Sequence, residues 1–187
     1  MRVLPAALFT ALALCTGPSL AAVTVLGPGP AQECYRLAED GGDPVEGIKQ
    51  CTSALDDSAL SPVDRAATMV NRGVLHLARR EYTAGFRDID AGIALSPALA
   101  DGYVDRGAAL ISMGRYDEAL ADLNKGISLG PHQPQKAYYD RAIVDEHNGD
   151  IRAAYNDYRK ALDLQPDFAL AAEELKRFRV VHPKTGI

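Results

Sequence analysis

The chain of 187 residues carries 20 Lys and Arg against 25 Asp and Glu, and 47% of its residues are hydrophobic. This balance is that of a folded globular protein and excludes an intrinsically disordered chain. The formal net charge of −5 also argues against nucleic-acid binding, because an acidic chain lacks the basic surface that neutralises phosphates.

Residues 1–21 have the layout of a secretory signal peptide. Arg2 gives a positive start, the segment 3–15 is almost wholly apolar, and a small-x-small pattern then predicts cleavage between Ala21 and Ala22. We therefore expect an exported protein, periplasmic or secreted, whose cysteines are in an oxidising compartment.

A transmembrane helix and a lipid anchor are the alternatives for this segment. The apolar run is shorter than the roughly 18 residues that a membrane-spanning helix needs. A lipid anchor would use Cys15, but Leu14 is larger than the Gly, Ala or Ser that usually precedes a lipoprotein cysteine. Both alternatives are therefore disfavoured, and no other stretch is long enough to span a membrane.

A period of 34 to 35 residues runs through the rest of the chain. Each unit has an Arg followed by a small residue, then a turn signal, and finally a proline that stops the second helix. A period of this length is typical of helical repeats, which bury their apolar faces against one another. The repeated pairs are Arg72-Gly73, Arg106-Gly107 and Arg141-Ala142, and the prolines are Pro97, Pro131 and Pro166.

These residues resemble the tetratricopeptide repeat. The best copy has Tyr103, Arg106, Gly107 and Leu110 in its first helix, Ala119 and Leu123 in its second, and Pro131 after it. All three copies have Arg where the family usually has Leu, and none has the family's Trp. The resemblance implies an all-α fold, a right-handed α-solenoid of stacked helix-turn-helix repeats. We expect repeats over residues 62–99, 100–133 and 134–166.

Two flanking segments complete the expected solenoid. Residues 31–60 read as a degenerate first helix pair, with helices over 32–40 and 44–55. Residues 167–181 read as an amphipathic capping helix, since a solenoid needs a polar end, and 182–187 form a tail.

An Asp follows each repeated Arg after sixteen residues. The hairpin brings the middle of the first helix against the facing side of the second, so the two side chains can meet. A strict repeat of the pair favours a structural role in every unit over catalysis or anion binding. The expected ion pairs are Arg72 with Asp88, Arg106 with Asp122 and Arg141 with Asp157.

The degenerate first unit lacks such a pair and has two cysteines in nearly equivalent places. Cys34 and Cys51 are 17 residues apart, and an even number of cysteines in an exported chain favours a disulfide. A loop of that size would contribute about 3 kcal/mol to stability. Two buried free thiols are the alternative.

No residue pattern predicts catalysis, a cofactor or a metal. The four histidines are isolated, and none has the helical partner and nearby Glu of a zinc hydrolase. No Gly-x-Ser-x-Gly occurs, and Cys34 has no positioned His. We therefore expect no enzyme, and no cofactor.

The resemblance implies a concave groove, lined by the first helices, that binds protein or peptide partners. Family geometry assigns to this groove the residues on either side of each repeated Arg. The candidates are Val70, Asn71, Val74, Val104, Asp105, Ala108, Tyr139, Asp140 and Ile143. Some relatives clamp an acidic tail with Lys, Arg and Asn. Here the row is Asn-Asp-Asp with only Lys136 nearby, so we expect a neutral or basic peptide.

The sequence thus predicts a non-enzymatic adaptor or assembly factor of the bacterial envelope. Two alternatives stay open. The chain could be a structural solenoid that self-associates or fills its groove with its own tail (180–187), or an accessory subunit of an envelope enzyme complex.

Overall fold

The computed structural model describes residues 2–5, 22–23, 29–57 and 59–181. These residues contain nine α-helices that form four antiparallel pairs and one final helix, so the predicted all-α solenoid is confirmed. The helices are α1 Pro30–Glu39, α2 Pro44–Leu55, α3 Pro62–Ala78, α4 Tyr82–Leu95, α5 Ala100–Ser112, α6 Tyr116–Leu129, α7 Pro134–His147, α8 Ile151–Leu164 and α9 Ala169–Leu175.

Local sequence sets the helix boundaries. Proline occupies the first turn of α1, α2, α3 and α7, where a backbone N–H would have no helical partner. At the start of α3 the Ser61 hydroxyl accepts the Asp64 N–H and donates to the Asp64 carboxylate. In each of the four pairs, the turn between the helices contains one residue with positive φ. These residues are Gly41, Arg80, Gly114 and Gly149.

Small residues let the two helices of a pair approach closely. A Cβ atom on Gly73 would lie 2.6 Å from Ile89 Cγ1 and 2.8 Å from the Gly85 carbonyl oxygen. In the next pair a Cβ atom on Gly107 would lie 2.9 Å from Leu123 Cγ. A larger side chain at Gly73 or Gly107 would push the helices of these two pairs apart, which explains the glycine in both.

Consecutive pairs share one continuous core. Val104, Leu123 and Val144, from α5, α6 and α7, belong to the same buried cluster. The first helices also touch in series, α1 with α3, α3 with α5 and α5 with α7. They therefore form one wall of the solenoid.

Each repeated Arg forks onto the Asp sixteen residues later. Nε and Nη2 of Arg106 donate to the two carboxylate oxygens of Asp122 at 2.7 and 2.8 Å. The same two nitrogens join Arg72 to Asp88 and Arg141 to Asp157. The hydrogen bonds to these carboxylates raise the pKa of Arg106 and of Arg141 above the ordinary value.

The third guanidinium nitrogen reaches the preceding helix pair. Nη1 of Arg106 donates to Asp90 on α4 at 2.7 Å, and Nη1 of Arg141 donates to Asn124 on α6 at 2.8 Å. Arg72 extends in the same way to Thr52 on α2, at 3.2 Å. Each guanidinium therefore ties together the helices of its own pair and the pair before it.

The first pair has a sulfur contact in place of this fork. The Sγ atoms of Cys34 on α1 and Cys51 on α2 are 2.09 Å apart, and both residues are fully buried. The formation of this disulfide in the cell stays a prediction.

The ends of the chain differ from the sequence-based expectation. α1 begins at Pro30, because proline suits the first helical turn. The capping helix expected over 167–181 was wrong in its second half. α9 ends at Leu175, and the valine-containing segment Phe178–Val181 forms strand β2, as β-branched residues favour.

Strand β2 pairs antiparallel with β1, Arg2–Pro5. Strand β1 lies inside the expected signal peptide, so a chain cleaved after Ala21 would lack it. Residue 1 and residues 6–21 of that segment, and the tail 182–187, lie outside the described residues.

We expect Asp122→Ala to lower the free energy of unfolding by about 2 kcal/mol, because it leaves the guanidinium of Arg106 without its carboxylate. This is less than for a fully buried pair, since the Arg106 side chain is 25% exposed. The double change Arg106→Leu with Asp122→Ala should recover much of the loss. Urea denaturation followed by circular dichroism measures both.

The control is the exposed pair of Arg115 with Glu118. Glu118→Ala should cost less than about 0.5 kcal/mol, because solvent screens that interaction. Strictly additive losses from Asp122→Ala and Arg106→Leu would contradict the structural pairing.

Candidate functional site

Three polar side chains form a row across the wall of first helices. Asn71 on α3, Asp105 on α5 and Asp140 on α7 each precede a forked Arg, and all three are fully buried. Neighbouring residues on a helix point about 100° apart. The Arg turns toward the second helix, so the preceding residue lies on another face of the first helix, the face that family geometry assigns to the groove. We call Asn71, Asp105 and Asp140 the polar row.

Three of the predicted groove residues belong to the core. A Cβ atom on Gly92 would lie 2.7 Å from Val70 Cγ2, and one on Gly126 would lie 2.7 Å from Val104 Cγ2. These two valines therefore fill the space above a glycine of the second helix. Tyr139 packs against Tyr158 and Phe168, with ring centroids 5.6 and 5.5 Å apart. The groove assignment of Val70, Val104 and Tyr139 was wrong.

The remaining candidates lie one helical turn beyond the polar row. Val74 and Ala108 are buried, and Ile143 is half-buried between two core clusters. An open groove would leave these side chains and the polar row in contact with solvent. These side chains are not open to solvent in this structure, and the role of the wall as a peptide groove stays a prediction.

Val23 covers the wall at Asn71. The Val23 N–H donates to Asn71 Oδ1 at 2.6 Å, and Asn71 Nδ2 donates to the Val23 carbonyl oxygen at 2.7 Å. The residue is only 4% exposed and packs among Ala31, Ala67 and Val70. One side-chain amide thus satisfies both backbone groups of a residue 48 positions away.

The preceding residue lies beside a carboxylate. The Ala22 N–H donates to Glu39 Oε2 at 3.3 Å, and Glu39 Oε1 accepts a hydrogen bond from Gln133 Nε2 at 2.6 Å. Glu39 ends α1 and Gln133 precedes α7, so this carboxylate connects the first pair to the fourth. The residues that contact the wall are therefore Ala22 and Val23, near the N-terminus. The alternative expected from sequence was that the C-terminal tail fills the groove.

A further carboxylate lies close to the polar row. Asp101 lies one turn before Asp105, is buried, and accepts the His132 N–H at 2.9 Å. Burial raises the pKa of Asp101, and the hydrogen bond from His132 opposes that shift. Neither Asp105 nor Asp140 lacks an interaction partner. Lys136, one turn before Asp140, is half-buried and is the nearby cation expected from sequence.

Sequence reasoning missed several contacts. Asp90 precedes Arg106 by sixteen residues and Asn124 precedes Arg141 by seventeen, so the repeat spacing could have found both. The contact between Glu39 and Gln133 joins residues 94 apart and has no periodic signal. Among the described residues, no group of His, Cys, Asp and Glu could hold a metal ion, and no helix could span a membrane.

Residues 100–133 and 135–168 match the family model of the tetratricopeptide repeat. Both segments are tetratricopeptide repeats. Mouse Sperm-associated antigen 1 is 37% identical over 160 residues, which are 77% of this chain and 17% of that protein. The chain spans about a fifth of the length of the first curated relatives that it matches.

Solved tetratricopeptide-repeat structures share the fold. The domain of Arabidopsis OM64 is 24% identical with a TM-score of 0.58, over 63% of this chain and 96% of that chain. The second domain of human RPAP3, in complex with the HSP70 peptide SGPTIEEVD, is 26% identical with a TM-score of 0.56. That match covers 62% of this chain and 96% of the RPAP3 chain.

Proposed function

We propose that the chain is a non-enzymatic protein-interaction module that binds a peptide segment on the concave side of its tetratricopeptide solenoid. The observation that carries this proposal is the hydrogen-bonded pair between Asn71 and the backbone of Val23. A side-chain amide that holds both an N–H and a carbonyl recognises main chain of any sequence, as a peptide receptor needs. The RPAP3 domain, which takes a peptide, supports the same role.

The partner peptide is neutral or basic. The support is the composition of the polar row, in which two of three side chains are carboxylates, since like charges across an interface disfavour association. The peptide bound by RPAP3 has two Glu and one Asp near its end. The wall of this chain would repel such a sequence.

The setting of this module is the bacterial envelope, where it serves as an adaptor or assembly factor. The support is the signal-peptide layout of residues 1–21, together with two cysteines whose sulfur atoms are within bonding distance. Export delivers the chain to a compartment in which that disulfide persists.

Peptide display on the chain that begins at Ala22 tests the binding proposal. Selected peptides should be neutral or positively charged, and Asn71→Ala should weaken an enriched peptide about tenfold, because two hydrogen bonds are lost. The double change Asp105→Asn with Asp140→Asn should shift selection toward acidic sequences. Asp163→Asn, an exposed carboxylate on α8, should change nothing.

Enrichment of acidic peptides would contradict the proposed charge preference. Peptide binding itself would be contradicted if no peptide is enriched by this chain and none is enriched by Val23→Asp, a variant designed to remove residue 23 from the wall.

The intact mass of the protein isolated from its own cells tests export. The expected chain begins at Ala22 and gains about 2 Da on reduction, since a disulfide takes up two hydrogens. A chain that retains residues 1–21, or a mass unchanged by reduction, would contradict the corresponding half of the proposal.

A further inference from the structure

Cleavage at the predicted position would change the charge of the Ala22 nitrogen. In the precursor it is a neutral amide 3.3 Å from Glu39 Oε2. After cleavage between Ala21 and Ala22 the same nitrogen becomes an α-ammonium group. A charge-assisted hydrogen bond to a carboxylate is about twice as strong as a neutral one.

We infer that the new N-terminus is the resident ligand of the peptide-binding wall. Its α-ammonium pairs with Glu39 and the backbone of Val23 pairs with Asn71, so an outside peptide has to displace the first residues of the mature chain. This inference rests on the proposed cleavage and on the proposed peptide binding, and it adds the means by which the wall is kept closed.

Glu39 is suited to this role. Gln133 holds its Oε1 atom at 2.6 Å, which fixes the carboxylate and leaves Oε2 directed at Ala22. No Lys or Arg of the described residues forms an ion pair with Glu39. An α-ammonium group therefore supplies the cation that this carboxylate lacks among those residues.

Val23 fits its position by shape. Its side chain packs among Ala31, Ala54 and Ala67, whose small methyl groups leave room for a β-branched residue. The first five residues of the mature chain, Ala-Val-Thr-Val-Leu, have no charged side chain, so their only charge is that of the α-ammonium group. The resident segment thus has the chemistry that we propose for the partner.

The link between segment and wall is short. Six residues, 24–29, connect Val23 to the start of α1. A short tether gives an effective concentration in the millimolar range. A weak intramolecular contact is therefore enough to compete with an outside peptide.

The experiment uses the chain with Ala22 as its first residue, so that its outcome does not depend on cleavage in the cell. Amide hydrogen exchange by NMR should find the Val23 N–H protected at least about tenfold. Glu39→Gln, Asn71→Ala and acetylation of the Ala22 amino group should each reduce that protection. Glu118→Gln, an exposed carboxylate, is the matched control and should leave it unchanged.

A competition arm separates a resident ligand from a merely structural segment. Val23→Asp should release the segment, because it places a charge among apolar side chains beside an acidic wall. This variant should bind the free peptide Ala-Val-Thr-Val-Leu-Gly about tenfold more tightly than the unchanged chain does. It should also bind this peptide more tightly than it binds the N-acetylated form of the same peptide. Val63→Asp, at an exposed valine, is the control.

An unprotected Val23 amide, or equal peptide affinities for the unchanged chain and Val23→Asp, would overturn the inference. If equal affinities are found and peptides bind well, the proposed function stands while the resident ligand does not. If Val23 is protected and Val23→Asp binds no peptide, the segment is structural and the proposed function fails with the inference.

Discussion

The three-way contact of each repeated Arg is the interaction on which this solenoid depends. Two guanidinium nitrogens fork onto the Asp of the same helix pair, and the third reaches the pair before it. A Leu at this position, as the family usually has, could pack between helices but could not join them by hydrogen bonds. The fork also fixes how far each first helix is rotated about its axis. That rotation also sets the direction of Asn71, Asp105 and Asp140, which come one residue before each Arg.

Most of the architecture could be predicted because it is periodic. The recurring small residues place the closest helix contacts, and the spacing of sixteen residues places each Asp opposite its Arg. Helix bounds followed from prolines and turn residues. What could not be predicted depends on contacts without a period. The choice of Val70 and Val104 for the core rather than the groove is set by the crossing of two helices over Gly92 and Gly126.

The covering of the wall is the clearest case of such a contact. Asn71 could be singled out as a group that binds main chain, but its partner Val23 lies 48 residues earlier in a segment with no repeat pattern. The residue type therefore predicted the chemistry of the site and not its occupant. Strand β2 is similar, because its pairing with β1 depends on a segment from the other end of the chain.

The guanidinium forks and the polar row lie on the same helices, so the stability of the solenoid and the geometry of the wall are linked. The same helices that carry the guanidinium forks carry the polar row, one residue earlier, so a loosened fork would also misplace the wall. In our proposal, the two carboxylates of the polar row favour a partner that is neutral or basic. The chain resembles the peptide-bound tetratricopeptide domain of RPAP3 in fold.

Native-state hydrogen exchange of Arg106→Lys tests the role of the fork most directly. A Lys cannot bond Asp122 through two nitrogens and reach Asp90 with a third. We expect amides of α4, α5 and α6 to lose protection together, while Arg115→Lys, at an exposed pair, leaves them unchanged. Equal protection of these helices in both variants would contradict the account.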